Sequence, residues 1–448
     1  MLAVLANRVY RRLFAAQVVA LVGTGLATVA LGLLAWDLAG GDAGQVLGTA
    51  LAVKMVAYVT LAPVAAALNE RVPRRALLVA LDLVRAGGTL ALLFVSEVWQ
   101  VYVLIFLLQA ASAGFTPTFQ ATIPDVLPDE AKYTRALSLS RLAYDLESLL
   151  SPMLAAALLT VVGFPVLFAG TVVGFLLSAL LVASVTLPAP APRARRRHVW
   201  SSTLHGTRVY LATPRLRGLL GLNVAVAAAG AMVIVNTVVL VKAQLGLGEP
   251  EVALALAAFG AGSMVSAVIL PRLLERIKDR TAMLWGGMML ALGVALGTLV
   301  STLASLMALW IVLGASFSFT QMPTGRLVCR SCHREDRTAL FAAQFALSHA
   351  CWLVAYPLAG WLGAYGGLDP AFLLMAGLAL AGVLAGAWAW PKDSEHPLRH
   401  HHPNLPPDHP HFLMHGTVNH THLLILDDLH PDLGIGRRTV RRRYDVLG

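Results

Sequence analysis

Ala66-Ala67-Leu68-Asn69-Glu70-Arg71-Val72-Pro73-Arg74-Arg75 is a short charged segment, broken by a proline, between two stretches that carry almost no charge. Val46 to Leu68 precedes it and Ala76 to Val95 follows it. Each is about 20 residues, enough to cross a ~30 Å hydrocarbon layer as a helix rising ~1.5 Å per residue. The same alternation runs along the chain. Further spans are read near Leu13 to Trp36, Val101 to Phe119, Ala136 to Thr160 and Phe164 to Leu187. A second set lies near Gly218 to Val241, Val252 to Leu274, Thr281 to Val300, Ser305 to Gly325, Thr338 to Tyr365 and Pro370 to Trp390. The 448 residues are 57% hydrophobic and 13% charged, with a mean hydropathy of +0.71. That balance excludes a single soluble fold. The first span is longer than the apolar core of a signal peptide and no small-residue cleavage site follows it, so it reads as helix 1.

The net charge of +10 reports topology rather than a nucleic-acid partner. Basic residues occupy alternate loops: Arg8, Arg11 and Arg12 before helix 1; Arg71, Arg74 and Arg75 after helix 2; Lys132 and Arg135 after helix 4. The pattern continues with Arg193 to Arg217 in the middle, Arg272 to Arg280 after helix 8, and Arg326 to Arg337 after helix 10. The positive-inside rule then places both termini and the middle loop in the cytoplasm of a multi-pass inner-membrane protein.

The proline- and arginine-rich segment 188–217 divides the chain into an N-terminal half, 1–187, and a C-terminal half, 218–391. A tail, 392–448, follows. Glu70 and Glu275, Pro152 and Pro357, and Pro165 and Pro370 are each 205 residues apart, the mark of a parallel duplication. The expected fold is all-α, with twelve transmembrane helices in two six-helix halves.

The 66–75 segment resembles the Gly-x-Leu-Ala-Asp-Arg-x-Gly-Arg-Arg loop of the major facilitator superfamily, with Glu for Asp and with Ala and Pro for the glycines. The resemblance implies that Glu70, Arg71, Arg74 and Arg75 gate helix motion on the cytoplasmic side. Ser151-Pro152-Met153-Leu154-Ala155-Ala156 is similar to the end of the family's helix 5 antiporter motif, with small residues replacing glycine. The helix 4 arginine of proton-coupled members is absent; Phe106 stands at its position.

Six ionisable residues lie well inside spans: Lys54, Asp82, Arg85, Arg141, Asp145 and Glu147. Each costs about 2.5–3.5 kcal/mol at mid-bilayer, so pairing is the default. Asp82 and Arg85 share a helix face at i,i+3, and Arg141 and Asp145 share one at i,i+4. Glu147 has no basic residue at those spacings on its own helix and is the leading coupling residue, with Asp145, Arg141 and Lys54 around it. In helix 11, His349 is the intramembrane metal-ligand candidate, because neutral imidazole suits Ni²⁺, Co²⁺ and Zn²⁺. Cys351, two residues on, does not share its face. Gln344, Asn223, Asn236, Met264, Gln321 and Met322 are further polar or thioether candidates.

Ten of the 14 histidines stand in the tail: His396, His400, His401, His402, His409, His411, His415, His420, His422 and His430. They alternate with Pro, Asn, Asp, Gly and Thr, a composition that favours a flexible cytoplasmic metal-binding segment over a packed domain. Cys329-Arg330-Ser331-Cys332-His333 has the form of a haem attachment site, but topology puts it in the cytoplasm, leaving a metal half-site or an ordinary loop. A facilitator core with such a tail resembles the NreB-type nickel-resistance exporters, which implies Ni²⁺ efflux, with Ni²⁺, Co²⁺ or Zn²⁺ as substrate and tail ligand and no required cofactor. There is no Walker A motif, so protons rather than ATP are the expected drive. Expelling a divalent cation against 100 mV costs ~4.6 kcal/mol, and two returning protons make the exchange electroneutral. The reading is a monomeric proton antiporter rather than an enzyme. Its alternative is an exporter of an organic drug or metal chelate with a metal-sensing tail.

Overall fold

The computed structural model describes residues 2–39, 43–69, 72–188, 199–274, 276–392, 398–401 and 419–422. The body is helical. Helices α1 (Arg8–Ala39), α2 (Ala43–Asn69), α3 (Arg74–Ala91), α4 (Val98–Val126), α5 (Glu130–Leu159) and α6 (Phe164–Ala183) are followed by a short α7 (Val199–Ala212). Then come α8 (Pro214–Val239), α9 (Glu249–Leu273), α10 (Asp279–Leu296), α11 (Leu303–Gln321), α12 (Thr324–Cys329), α13 (Arg337–Trp361) and α14 (Leu368–Ala389). Helix is the element that satisfies every backbone N–H and C=O within one segment, which hydrocarbon requires. Starts follow local chemistry. Asp129 caps α5 by accepting from the Lys132 amide at 2.9 Å, α6 and α8 open on prolines, and Gly367 precedes α14 at a φ of 84°.

Ten helices among the described residues are long and apolar enough to cross a membrane. Two others are long but less apolar. α2 offers the shorter apolar run Ala52–Leu68, and α5 carries Arg135, Arg141, Asp145 and Glu147. The bundle's outer surface exposes large side chains such as Leu83, Phe94, Val173, Leu180, Leu373 and Leu384, as lipid contact requires.

Packing repeats itself along the chain. α1 packs on α5 and α6, α2 on α4, and α3 on α4 and α6; α8 packs on α13 and α14, α9 on α11, and α10 on α11 and α14. The second set is the first with each helix replaced by its counterpart. Between the sets, α13 lies against α2 and α4, and α5 against α9.

The structure departs from the sequence reading in three places. The middle segment contains the helix α7, which packs on α2 and α13. The span expected from Ser305 to Gly325 ends at Gln321, and the chain restarts at Thr324 after Pro323, a proline being unable to continue the preceding hydrogen-bond ladder. In the tail, β1 (Leu398–His401) pairs antiparallel with β2 (Asn419–His422), placing His400 opposite His420. That short ladder stands where no regular structure is expected.

The α9–α11 contact is the tightest test of this packing. A methyl group on Gly314 would lie 1.8 Å from the Phe259 carbonyl oxygen, whereas one on Gly377 in α14 meets nothing within 4 Å. Close backbone approach is how membrane helices gain dispersion contact where burial from water supplies no drive. Gly314→Ala is therefore expected to destabilise the protein by about 1–3 kcal/mol, and Gly377→Ala to be neutral. Thermal unfolding of both variants in detergent measures the difference.

Candidate functional site

A cavity of about 420 Å³ lies between the two helix sets, walled by α2, α4, α5, α11, α12 and α13. Its apolar surface is largely aromatic: Tyr58, Tyr144, Phe317, Phe341, Phe345 and Trp352. Its polar lining comes from Thr116, Gln120, Ser140, Gln321, Gln344 and Ser348, with Met322 and His349. No carboxylate, lysine or arginine is among the described lining residues. The His349 ring stands edge-on to Tyr58, with centroids 4.8 Å apart, and its Nδ1 is 2.7 Å from the Phe345 carbonyl oxygen.

Two of the glutamines, Gln344 and Gln321, are held from behind. Gln344 Oε1 accepts from the Tyr210 hydroxyl of α7 and from Asn223 Nδ2 of α8 at 3.5 Å, and Gln321 Nε2 donates to Asn223 Oδ1 at 3.4 Å. On the opposite wall, Ser140 donates to Gln17 Oε1 of α1 at 2.8 Å. Buried polar groups with fixed partners keep one orientation, so these side chains present set donors and acceptors to an occupant.

One end of the bundle is closed by an ion-pair layer. Asp125, at the end of α4, pairs with Arg74 of its own half and with Arg334 at 2.9 Å and Arg337 at 2.7 Å from the other. Asp279, at the start of α10, pairs with Arg326 and, at 3.1 Å, with Arg330. Arg330 also pairs with Glu130 of the first half. Asp279 lies 205 residues after Arg74, and Arg330 lies 205 after Asp125. The same position pair thus forms an ion pair in each half, with the charges exchanged. Beside the layer, His205 of α7 is 3.0 Å from Asp336.

The sequence-predicted residues fall in several places. Arg74 is buried in the layer and Arg75 is exposed; Glu70 and Arg71 lie outside the described residues. Asp82 and Arg85 do pair, with the Ser178 hydroxyl donating to Asp82 at 2.7 Å and the Arg85 guanidinium 4.1 Å over the Phe115 ring. Glu147 does not line the cavity. Its carboxylate faces Gly25 of α1 and interacts electrostatically with Lys54. The Lys54 ammonium sits 5.6 Å from the centroid of Tyr58, a cavity residue. Arg141 and Asp145 belong to α5, but their side chains lie outside the described set.

His349 is in the cavity, whose described lining holds no other imidazole, thiolate or carboxylate, and no group of three or more such ligands occurs among the described residues. Asn236 instead donates to the Ala359 carbonyl at 3.1 Å. Cys329 and Cys332 are both buried, and burial pushes the Cys332 thiol well above its ordinary range. Of the tail histidines, His400, His401, His420 and His422 fall on the paired strands. His396, His402, His409, His411, His415 and His430 lie outside the described residues. Sequence reading missed Asp125, Asp279 and Glu130. The 205-residue offset applied to Arg74 identifies the position of Asp279.

Two matched helix sets around a central cavity, closed at one end by ion pairs, define a polytopic membrane transporter. Residues 13–233 and again 219–415 match the Major Facilitator Superfamily, and the chain belongs to that family. It is similar to macrolide efflux protein A of Streptococcus pyogenes, 25% identical over 181 residues that make up 39% of this chain and 44% of that protein. The chain thus spans under half the length of that curated relative in the match. In fold it is similar to the human organic anion transporter MFSD10 (TETRAN), with a TM-score of 0.71 and 14% identity over 85% of this chain and 99% of that one. A bacterial homologue of the iron transporter ferroportin in an outward-facing state gives a TM-score of 0.69 and 15% identity, over 85% and 98%. At these identities the structural likeness bears on fold alone.

Removing the Asp125 charge leaves three arginines facing a neutral amide. Breaking a buried pair costs about 3–5 kcal/mol, a cost the protein relieves by opening the layer to water. Asp125→Asn is therefore expected to raise maleimide labelling of the buried Cys332 several-fold over wild type. Mass-spectrometric mapping of the label in membranes checks this, and unchanged labelling means that the layer does not hold this end closed.

Proposed function

We propose that this chain is a secondary exporter of amphipathic organic molecules of drug size, operating in the inner membrane by proton antiport. In this reading twelve helices cross the bilayer, both termini are cytoplasmic, and the halves 1–187 and 218–391 rock about the cavity as a monomer. The cavity wall carries the proposal: six aromatic side chains with fixed, uncharged hydrogen-bonding groups. Its volume falls in the ~300–1,000 Å³ range of small-molecule sites, which combine apolar walls with a few placed polar groups. The similarity to a macrolide efflux protein points the same way.

Glu147 is the proposed coupling carboxylate. Protonating it removes the attraction it exerts on Lys54, and Lys54 rests over Tyr58, so proton load reaches the cavity wall through one aromatic ring. Inverted vesicles given an imposed pH gradient test drive and substrate together. A labelled macrolide is expected to accumulate while ⁶³Ni²⁺ does not, and Glu147→Gln is expected to abolish the gradient-driven component while the protein still inserts. Nickel accumulation without macrolide accumulation reverses the substrate assignment; full macrolide uptake by Glu147→Gln removes Glu147 from the mechanism.

The tail favours a second metal-related role. Ten histidines within the 392–448 sequence, with the His400 and His420 backbones paired, suit capture of Ni²⁺, Co²⁺ or Zn²⁺ in the cytoplasm, since imidazole accepts all three. Export of such an ion through the cavity has His349 as its one imidazole among the described lining residues. Truncation after Lys392 is expected to lower cellular metal tolerance while leaving macrolide flux in vesicles unchanged. Loss of both activities in a correctly inserted protein ties the tail to translocation.

A further inference from the structure

The outer face of the α5–α9 contact carries two adjoining recesses of about 510 and 270 Å³ that share Arg135, Val268 and Arg272. Arg276 extends the same lining. The described lining contributes three guanidiniums and no carboxylate. Arg135 comes from α5 in the first half, whereas Arg272 and Arg276 come from the end of α9 and the residues after it in the second. The groove therefore spans the two halves at the end of the bundle that the ion-pair layer closes.

Above the arginines the groove becomes apolar. Val265, Val268, Ile269 and Arg272 fall on one face of α9, with Val265 and Arg272 each three or four residues from the Val268–Ile269 pair, and Arg276 follows just past the helix end. Val265, Val268 and Ile269 are exposed. In a bilayer that face touches acyl chains, and the arginines lie where a headgroup would. Guanidinium binds phosphate through paired, charge-assisted hydrogen bonds, and its five donors let one arginine serve more than one acceptor. Basic pockets between helices at the membrane surface attract anionic headgroups.

We infer that this groove is a binding site for an anionic phospholipid, its phosphate held between Arg135 and the Arg272–Arg276 pair and its acyl chains laid along Val265, Val268 and Ile269. Because the phosphate bridges the halves, the bound lipid favours the conformation in which this end is closed. The inference stands apart from what the cavity carries, since no residue of the groove lines it.

Thermal unfolding of the purified full chain in detergent tests the site. Added phosphatidylglycerol is expected to raise the midpoint by about 3 °C or more, while phosphatidylcholine and inorganic phosphate at equal concentration do not. The triple variant Arg135→Gln, Arg272→Gln, Arg276→Gln is expected to lose the shift. Native mass spectrometry of the wild type should show phosphatidylglycerol retained over phosphatidylcholine, and it decides the matter even if the triple variant fails to fold. Equal stabilisation by phosphatidylcholine reduces the groove to an acyl-chain contact, stabilisation by phosphate alone makes it a site for a soluble anion, and a folded triple variant that keeps the shift moves the lipid elsewhere. Each of these overturns the inference.

Discussion

Two buried carboxylates, Asp125 and Asp279, govern how this bundle can move. Neither side chain has any solvent exposure, and an ionised group out of water must keep a counter-charge or pay several kcal/mol. Each carboxylate has a nearly buried arginine from its own half, Arg74 for Asp125 and Arg326 for Asp279. The bonds between halves are built differently. Arg334 and Arg337 are 53% and 20% exposed, and Arg330 and Glu130 are 38% and 42% exposed. When the halves part at this end, the inward pairs keep each carboxylate compensated while the outward partners return to water, and the exposed Arg330–Glu130 pair forfeits only about 0–1 kcal/mol. The layer is thus strong enough to define a closed state and weak enough to release it.

The exchange of charge between halves follows from the same constraint. Had the duplication kept Arg at both helix 3 positions and Asp at both helix 4 positions, each half would present the same signs to its neighbour. With Arg74 and Asp125 in one half and Asp279 and Arg330 in the other, the flanking groups find opposite charges across the interface. The cavity lies next to this layer, and it is framed without full charges among its described residues. Tyr210 reaches Gln344 from α7, so the linker between the halves also fixes a side chain of the cavity wall.

Much of this was legible in the sequence because hydrocarbon imposes simple rules. Span length, the alternation of basic loops and the 205-residue offset follow from bilayer thickness, insertion asymmetry and duplication, and Asp82 with Arg85 follows from helix periodicity. The ion-pair layer was not, since its partners lie in different helices: Asp125 and Arg337 are 212 residues apart, and only tertiary packing joins them. The loop arginines were read as topology markers when several also carry structure. α7 is not legible because a moderately polar 14-residue helix leaves no apolar signature, and the period of α5 gives the direction of Glu147 without saying which neighbour its face meets.

The distinction between an organic substrate and a bare metal ion rests on desolvation. A divalent cation entering a low-dielectric cavity must exchange its hydration shell for protein ligands, and imidazole, thiolate and carboxylate are the groups that compensate it. The described wall offers one imidazole, whose second nitrogen is already engaged by the Phe345 carbonyl, and a thioether at Met322. An amphipathic molecule has the opposite requirement. It loses little on leaving water, gains dispersion and stacking against aromatic faces, and needs only a few oriented donors and acceptors to be held in register. Those are the groups that Gln344, Gln321 and Ser140 supply, each fixed by a partner behind it.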